Sequence, residues 1–226
     1  AVRMECAERV LDRDCRTGYS EMWQKTIGMD PEEKPIKKGI SLKGIHFGDM
    51  TNGIEGISKA LQRCTKLEQF FVANCPITKE SFFRDIEAGS PYANEQLSWE
   101  NLTALTDIEI FNCPKLTGLP VDMLESLPEL QILNVASNKG IPGNQLKADW
   151  ETLINGNCGD KLQMLYFGFN NLVETPAYEE LCKMTKLGML DCTNNQLEIV
   201  HPFGKEINLA KVYLDYNKIE ELNVAP

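Results

Sequence analysis

Three stretches of this chain share one skeleton: LQMLYFGFNNLVET at 162–175, LGMLDCTNNQLEIV at 187–200 and LAKVYLDYNKIEEL at 209–222. Each places apolar residues at the first, fourth, sixth and eleventh positions and asparagine at the ninth. Copies with the same spacing start at Leu130, Leu105, Leu67 and, least regularly, Leu42 (LKGIHFGDM), some with the last apolar residue one place later. The steps from Leu42 through Leu67, Leu105, Leu130, Leu162, Leu187 and Leu209 are 25, 38, 25, 32, 25 and 22 residues. Four of the six fall within the roughly 20 to 29 residues at which a strand and its return segment recur. One such unit cannot bury its apolar face alone, so the copies must stack.

The spacing is the leucine-rich-repeat pattern, and each place has a physical reason. The centre of a repeat is a short strand of period two, so Leu190 and Cys192 point into the core while Met189, Asp191 and Thr193 point out. The expected fold is α/β: a right-handed solenoid with a concave parallel β-sheet of about seven strands, near 45–47, 70–72, 108–110, 133–135, 165–167, 190–192 and 212–214, and helices or irregular turns on the convex side. The ninth-place Asn138, Asn170, Asn195 and Asn217 should bond backbone groups left open where the chain turns, forming a ladder. Cys75 and Cys113 hold that slot in earlier repeats, where a thiol serves as a small, weak donor in an apolar setting. The return segments LQRCTKL, LESLPEL and LCKMTKL carry apolar residues six and three places before the strand leucine, which suits a helical turn packed on the sheet and puts Cys64 in the core.

Residues 1–38 do not repeat and read as an N-terminal helical cap or a linker, with Met4, Ala7, Val10 and Leu11 as one apolar stripe and Ser20 as a helix cap before Trp23 and Ile27. Residues 39–226 form the repeat domain, with insertions near 79–101 and 142–160 that map to loops or short helices outside the sheet. No separate cap follows the last repeat, which points to a larger parent protein.

Several function classes are disfavoured. A formal charge of −10 and the lack of a basic cluster argue against nucleic acid, and no run approaches the roughly 20 apolar residues of a membrane span. Hydrolase, zinc-protease, phosphate-loop and dinucleotide motifs are missing, so no catalysis and no cofactor are expected. No metal site is expected either, since His46 and His201 lie far from zinc-finger spacing with cysteines and NGNCGD at 155–160 lacks the alternating carboxylates of a calcium loop. Both histidines read as surface residues. Of the eight cysteines, Cys6, Cys15, Cys158 and Cys182 have no scaffold slot, and a Cys6–Cys15 bridge is open to them.

The outward sheet face carries the candidate site. The third places are Gly44, Gln69, Asp107, Ile132, Met164, Met189 and Lys211; the fifth are His46, Phe71, Glu109, Asn134, Tyr166, Asp191 and Tyr213; Phe111, Phe169 and Tyr216 follow at the seventh and eighth. The binding candidates are Asp107, Glu109, Phe111, Ile132, Asn134, Met164, Tyr166, Phe169, Met189, Asp191, Lys211 and Tyr213, because outward Ile, Met, Phe and Tyr on neighbouring strands exceed what solvation requires. The plainer reading is that Met164 and Met189 only pack on each other. Asp191 between Tyr166 and Tyr213 is taken as the interface centre, with alanine there or at Tyr166 leaving stability nearly unchanged. If that site fails, the convex side or the insertions around Trp99 and Trp150 are the alternatives. Seven strands at about 4.8 Å span roughly 29 Å, enough for a protein interface of about 800 Å² per side.

Beyond the general pattern, NCPKLTGLPVDMLESLPELQILNVASNKGI, LYFGFNNLVETP, LGMLDCTNNQLEIVHPFG and LDYNKIEEL resemble the leucine-rich-repeat region of surface or secreted proteins from gut-dwelling anaerobic, Bacteroides-type bacteria. The resemblance covers about residues 40–222. It implies an extracellular or envelope location, no enzyme activity and binding of a protein or glycan, and it carries over no site residue; the residues themselves leave open, in descending order, a protein partner, a glycan and a structural spacer, on a chain expected to be monomeric.

Overall fold

The computed structural model describes residues 39–43, 62, 65–79, 98–203 and 207–222. The expected N-terminal cap, the Cys6–Cys15 bridge, Cys64, Gly44, His46 and most of the first insertion lie outside them. The strands are β1 (Gly39–Lys43), β2 (Gln69–Ala73), β3 (Asp107–Phe111), β4 (Ile132–Asn134), β5 (Met164–Tyr166), β6 (Met189–Asp191), β7 (Ile199–Val200), β8 (Lys211–Tyr213) and β9 (Glu221–Leu222). The helices are α1 (Val121–Ser126), α2 (Gly143–Asn155) and α3 (Tyr178–Leu181), with a 3-10 turn at Trp99–Asn101.

One sheet runs in the order β1-β2-β3-β4-β5-β6-β8, and every neighbouring pair is parallel. Its register joins like places of successive repeats: Gln69, Asp107, Ile132, Met164, Met189 and Lys211 stand in one row, and Phe71, Glu109, Asn134, Tyr166, Asp191 and Tyr213 in another. The first strand departs from expectation. It lies at 39–43 and not at 45–47, with Gly39 opposite Gln69 and Leu42 opposite Val72, so Leu42 fills a sixth place and not a first. The alternation Ile40, Ser41, Leu42 matches Phe70, Phe71, Val72, and backbone pairing with β2 selects that frame over the one starting at Leu42. Gly39 and Ser41 thereby take the row positions assigned above to Gly44 and His46.

Inward places are filled as the alternation requires. Ile108, Ile110, Leu133, Val135, Leu165, Phe167, Leu190 and Cys192 are fully buried. On the other side of this core, Leu124, Leu127 and Leu130 in one return segment and Leu181, Met184 and Leu187 in another are also buried, as their spacing predicts. The second insertion forms α2, whose Leu146, Trp150, Leu153 and Ile154 face the core. Trp150 packs on Phe167 with ring centroids 4.8 Å apart. Asp149 on the same helix is buried, accepting hydrogen bonds from Leu119 N (2.7 Å) and Gln145 Nε2 (2.7 Å), and burial raises its pKa. That carboxylate ties α2 to the turn ahead of α1.

The asparagine ladder forms through one repeated device. Asn138 Nδ2 donates to Val135 O of its own repeat (2.8 Å) and Ile110 O of the preceding one (2.6 Å). Asn170 likewise spans Phe167 O and Val135 O, Asn195 spans Cys192 O and Phe167 O, and Asn217 spans Leu214 O and Cys192 O. In each case two sixth-place carbonyls on adjacent strands share one amide. After the turn, Glu174, Ile199 and Glu221 begin a second short parallel ladder, β7 on β9.

Candidate functional site

The eighth place closes each strand with a fixed backbone turn. Asn74, Asn112, Ser137, Phe169, Asn194 and Tyr216 all occupy it, and all have positive φ, from 49° to 62°. The stack enforces this conformation, because the N–H of Asn74, Asn112, Ser137, Phe169 and Asn194 each donates to the seventh-place carbonyl of the next repeat, at 2.8 to 3.3 Å. Asparagine tolerates left-handed backbone better than other side chains, whereas a bulky residue there is strained by about 1 kcal/mol or more. Phe169 and Tyr216 accept that strain while 48% and 81% exposed. Neither the turn nor the core explains their rings.

Phe169 lines an open groove of about 610 Å³ at this rim, together with Phe111, Asn112, Pro114, Ser137, Lys139 and Gly140. Sequence spacing had offered Phe111 and Phe169 as candidates but not the other five. The available signal was the eighth place itself, where Asn, Asn, Ser, Phe, Asn and Tyr succeed one another.

On the sheet proper, β5 and β6 bring a phenol and two thioethers together. The Tyr166 hydroxyl donates toward Met189 Sδ at 3.3 Å and lies 3.6 Å from Met164 Sδ. The two methionines are register partners on β5 and β6 and share that hydroxyl, yet Met164 stays 36% exposed and Tyr213 38%. Asp191 lies between Tyr166 and Tyr213 as expected, but its Oδ1 accepts from Thr193 N (2.9 Å) and Thr193 Oγ1 (2.8 Å). It therefore holds the turn after β6, and alanine there is now expected to cost some stability, where the sequence alone suggests almost none. Gly168 beside it is fitted to that turn, since a Cβ would stand 3.1 Å from Thr193 Oγ1 and 3.4 Å from Asp191 Oδ1.

The acidic end of the face lies on β3. Asp107 and Glu109 share one side of the strand, half-buried, and their partners are neutral amides: Gln69 Nε2 to Asp107 Oδ2 at 3.4 Å and Asn134 Nδ2 to Glu109 Oε1 at 3.1 Å. Asn134 Oδ1 accepts from Ala136 N at 3.0 Å, which fixes its amide with nitrogen toward Glu109. Burial pushes the Asp107 carboxyl above its ordinary value; burial first, and then repulsion from Asp107, does the same to Glu109.

A search of solved structures returns chains of this architecture. A leucine-rich-repeat protein from Bacteroides thetaiotaomicron is 43% identical, with a TM-score of 0.68 over 93% of this chain and 26% of its own. One from Bacteroides eggerthii is 36% identical, with a TM-score of 0.64 over 96% of this chain and 38% of its own. This is a leucine-rich-repeat solenoid. The Listeria monocytogenes protein InlP shares the fold at 17% identity, with a TM-score of 0.53 over 93% of this chain and 59% of its own. The solenoid thus spans well under half the length of either Bacteroides protein. No family model and no curated protein matches it.

The rest of the solenoid narrows the candidates. Trp150 is fully buried, so it can offer no alternative contact surface, while Trp99 is partly buried against the core. His201 is not a free surface residue: its Nε2 lies 2.7 Å from Glu174 Oε1, and Lys147 Nζ is 2.6 Å from Glu174 Oε2, which lowers the Glu174 pKa through those two hydrogen bonds. Among the described residues Cys75, Cys113, Cys158, Cys182 and Cys192 are thiols outside any disulfide. Burial pushes Cys113 up to about 11 and Cys158 up to about 12, so both remain protonated and poor nucleophiles at neutral pH. No helix among the described residues is long and apolar enough to cross a membrane.

Proposed function

We propose that this solenoid is a non-catalytic recognition module of a bacterial cell-surface or secreted protein, binding a protein partner through the outward sheet face and its eighth-place rim. The observation that carries the reading is the strained, exposed pair Phe169 and Tyr216, since strain retained without a packing reason points to a contact made elsewhere. Ile132, Met164, Tyr166 and Met189 supply the apolar centre beside it, and Asp107, Glu109, Asn134, Asp191, Lys211, Tyr213 and Phe111 complete the face. A protein fits better than a glycan because the amides of Gln69 and Asn134 are already engaged by carboxylates and the Tyr166 hydroxyl at the centre is turned to two thioethers. The surface location rests on the resemblance of the repeat sequences to surface or secreted proteins of Bacteroides-type bacteria.

The test compares capture from host-cell and bacterial-envelope extracts by the wild-type chain and by a Tyr166→Ala, Phe169→Asn, Tyr213→Ala variant whose fold is verified by circular dichroism. A specific partner should fall at least about fivefold in recovery, the equivalent of roughly 1 kcal/mol. Undiminished recovery moves the site off this face, and binding of the wild type to a glycan array in place of any protein returns the carbohydrate reading.

A further inference from the structure

The outward face is polarised, and its polarity limits what can dock there. Resting on the reading that this face binds protein, we infer that the partner presents an extended segment with a lysine or arginine against Asp107 and Glu109 and an apolar or aromatic side chain three or four residues away, seated on Met164, Tyr166 and Met189. Three observations converge. Asp107 and Glu109 face outward from one strand, and among the described residues neither belongs to an ion pair. Beside them the same rows turn apolar: Ile132 is the next strand's neighbour of Asp107, followed by Met164 and Met189. The one described lysine of these rows, Lys211, stands on β8, four strands from β3. At about 4.8 Å per strand that is roughly 19 Å, beyond the screening length of about 8 Å at physiological salt, so it does not neutralise the acidic end.

The geometry sets the spacing of the partner's residues. From β3 to β5 or β6 is about 10 to 14 Å, which an extended chain at roughly 3.3 Å per residue covers in three or four residues. A guanidinium or ammonium arriving at β3 would relieve the repulsion that raises the Glu109 carboxyl, while the apolar anchor would cover Met164 and the Tyr166 edge. A divalent cation suits the place poorly, because Asn134 turns its nitrogen, a donor, toward Glu109 and offers no oxygen ligand.

The experiment selects a phage-displayed library of random twelve-residue peptides on the immobilised wild-type chain and measures a synthetic copy of the most enriched peptide by fluorescence anisotropy. Two further proteins are compared: an Asp107→Asn, Glu109→Gln variant, isosteric and expected to fold, and a Tyr166→Ala, Met189→Ala variant, both checked by thermal melting. The expected result is enrichment of Lys or Arg three or four positions from Leu, Met, Phe, Trp or Tyr. Affinity should fall at least tenfold on the amide variant and weaken as salt rises. Peptides without a basic residue, or ones that bind the amide variant equally well yet fail on the Tyr166→Ala, Met189→Ala variant, overturn the inference and leave the outward-face reading standing. Binding that survives both variants, or no enrichment at all, removes both. Terbium luminescence sensitised by Tyr166 and lost in the amide variant would instead assign the acidic pair to a metal.

Discussion

The ninth place is filled by asparagine in the later repeats and by cysteine in the earlier ones, and the two do different work in the same slot. Asn138, Asn170, Asn195 and Asn217 each reach carbonyls on two adjacent strands, so they link repeats. Cys75 donates to Ala73 O (3.3 Å) and Cys113 to Phe111 O (3.6 Å), each within its own repeat, and the Cys113 sulfur also accepts a backbone hydrogen bond from Cys75. A thiol donates to one carbonyl where the amide donates to two, and sulfur is the weaker hydrogen-bonding atom, so its link to the neighbouring repeat is the weaker one. The pattern thus permits both residues, but the amides couple neighbouring repeats through more and stronger hydrogen bonds. The junction is visible at Cys113, whose own N–H is taken by Asn138 Oδ1 at 2.8 Å.

The largest expected effect tests that coupling. Asn170→Ala removes the acceptor of Asn138 N and the donor to two carbonyls, all buried, and should cost about 2 to 4 kcal/mol in chemical denaturation. Cys113→Ala should cost only about 1 to 2 kcal/mol. Equal losses would erase the distinction between the stronger amide link and the weaker thiol one. The thiol also has a pH signature: its folded pKa is raised to about 11, so its contribution is whole below the ordinary thiol value and is lost as pH climbs toward 11. Denaturation of wild type and Cys113→Ala should therefore converge between about pH 9 and 11.

Asp191→Ala comes next, at about 0.5 to 1.5 kcal/mol, since the carboxylate caps the Thr193 turn much as Asn134 caps the turn at Ala136. A melting curve unchanged by this substitution would show that the turn holds without it. Smallest is Phe169→Asn, which should raise stability by about 0.5 to 1 kcal/mol by relaxing the left-handed backbone, while weakening capture of the partner. Loss of stability would mean that the ring packs for the fold and would withdraw the observation on which the functional proposal rests.

Much of this was readable from the residues. The apolar spacing around Leu105, Leu130, Leu162, Leu187 and Leu209 predicts both outward rows in their observed order and four asparagine rungs. Strand alternation and capping are local properties repeated many times, so one register satisfies all copies together. Where a repeat is irregular, the local signal divides. Around Leu42 two frames each offer alternating apolar residues, and only the hydrogen-bonded edge of β2 chooses the strand at 39–43.

Tertiary packing also decided what single positions do. A tryptophan in an insertion reads equally as a surface anchor or a core residue until α2 folds back and sets Trp150 on Phe167. Turn length set the ladder's other end. Asn138 and Asn170 accept from ninth-place N–H groups, but Asn195 and Asn217 accept from Leu172 N and Leu197 N at eleventh places, because those turns are one residue shorter. The repeating sequence by itself fixed which side chains enter the core and which line the outward face, because strand alternation needs no knowledge of neighbours. The roles of Trp150 and Phe169 depended on the Phe167 ring and on the Thr193 carbonyl of the next repeat, which only folding and stacking bring within reach, whereas Asp191 caps Thr193 two residues along its own turn.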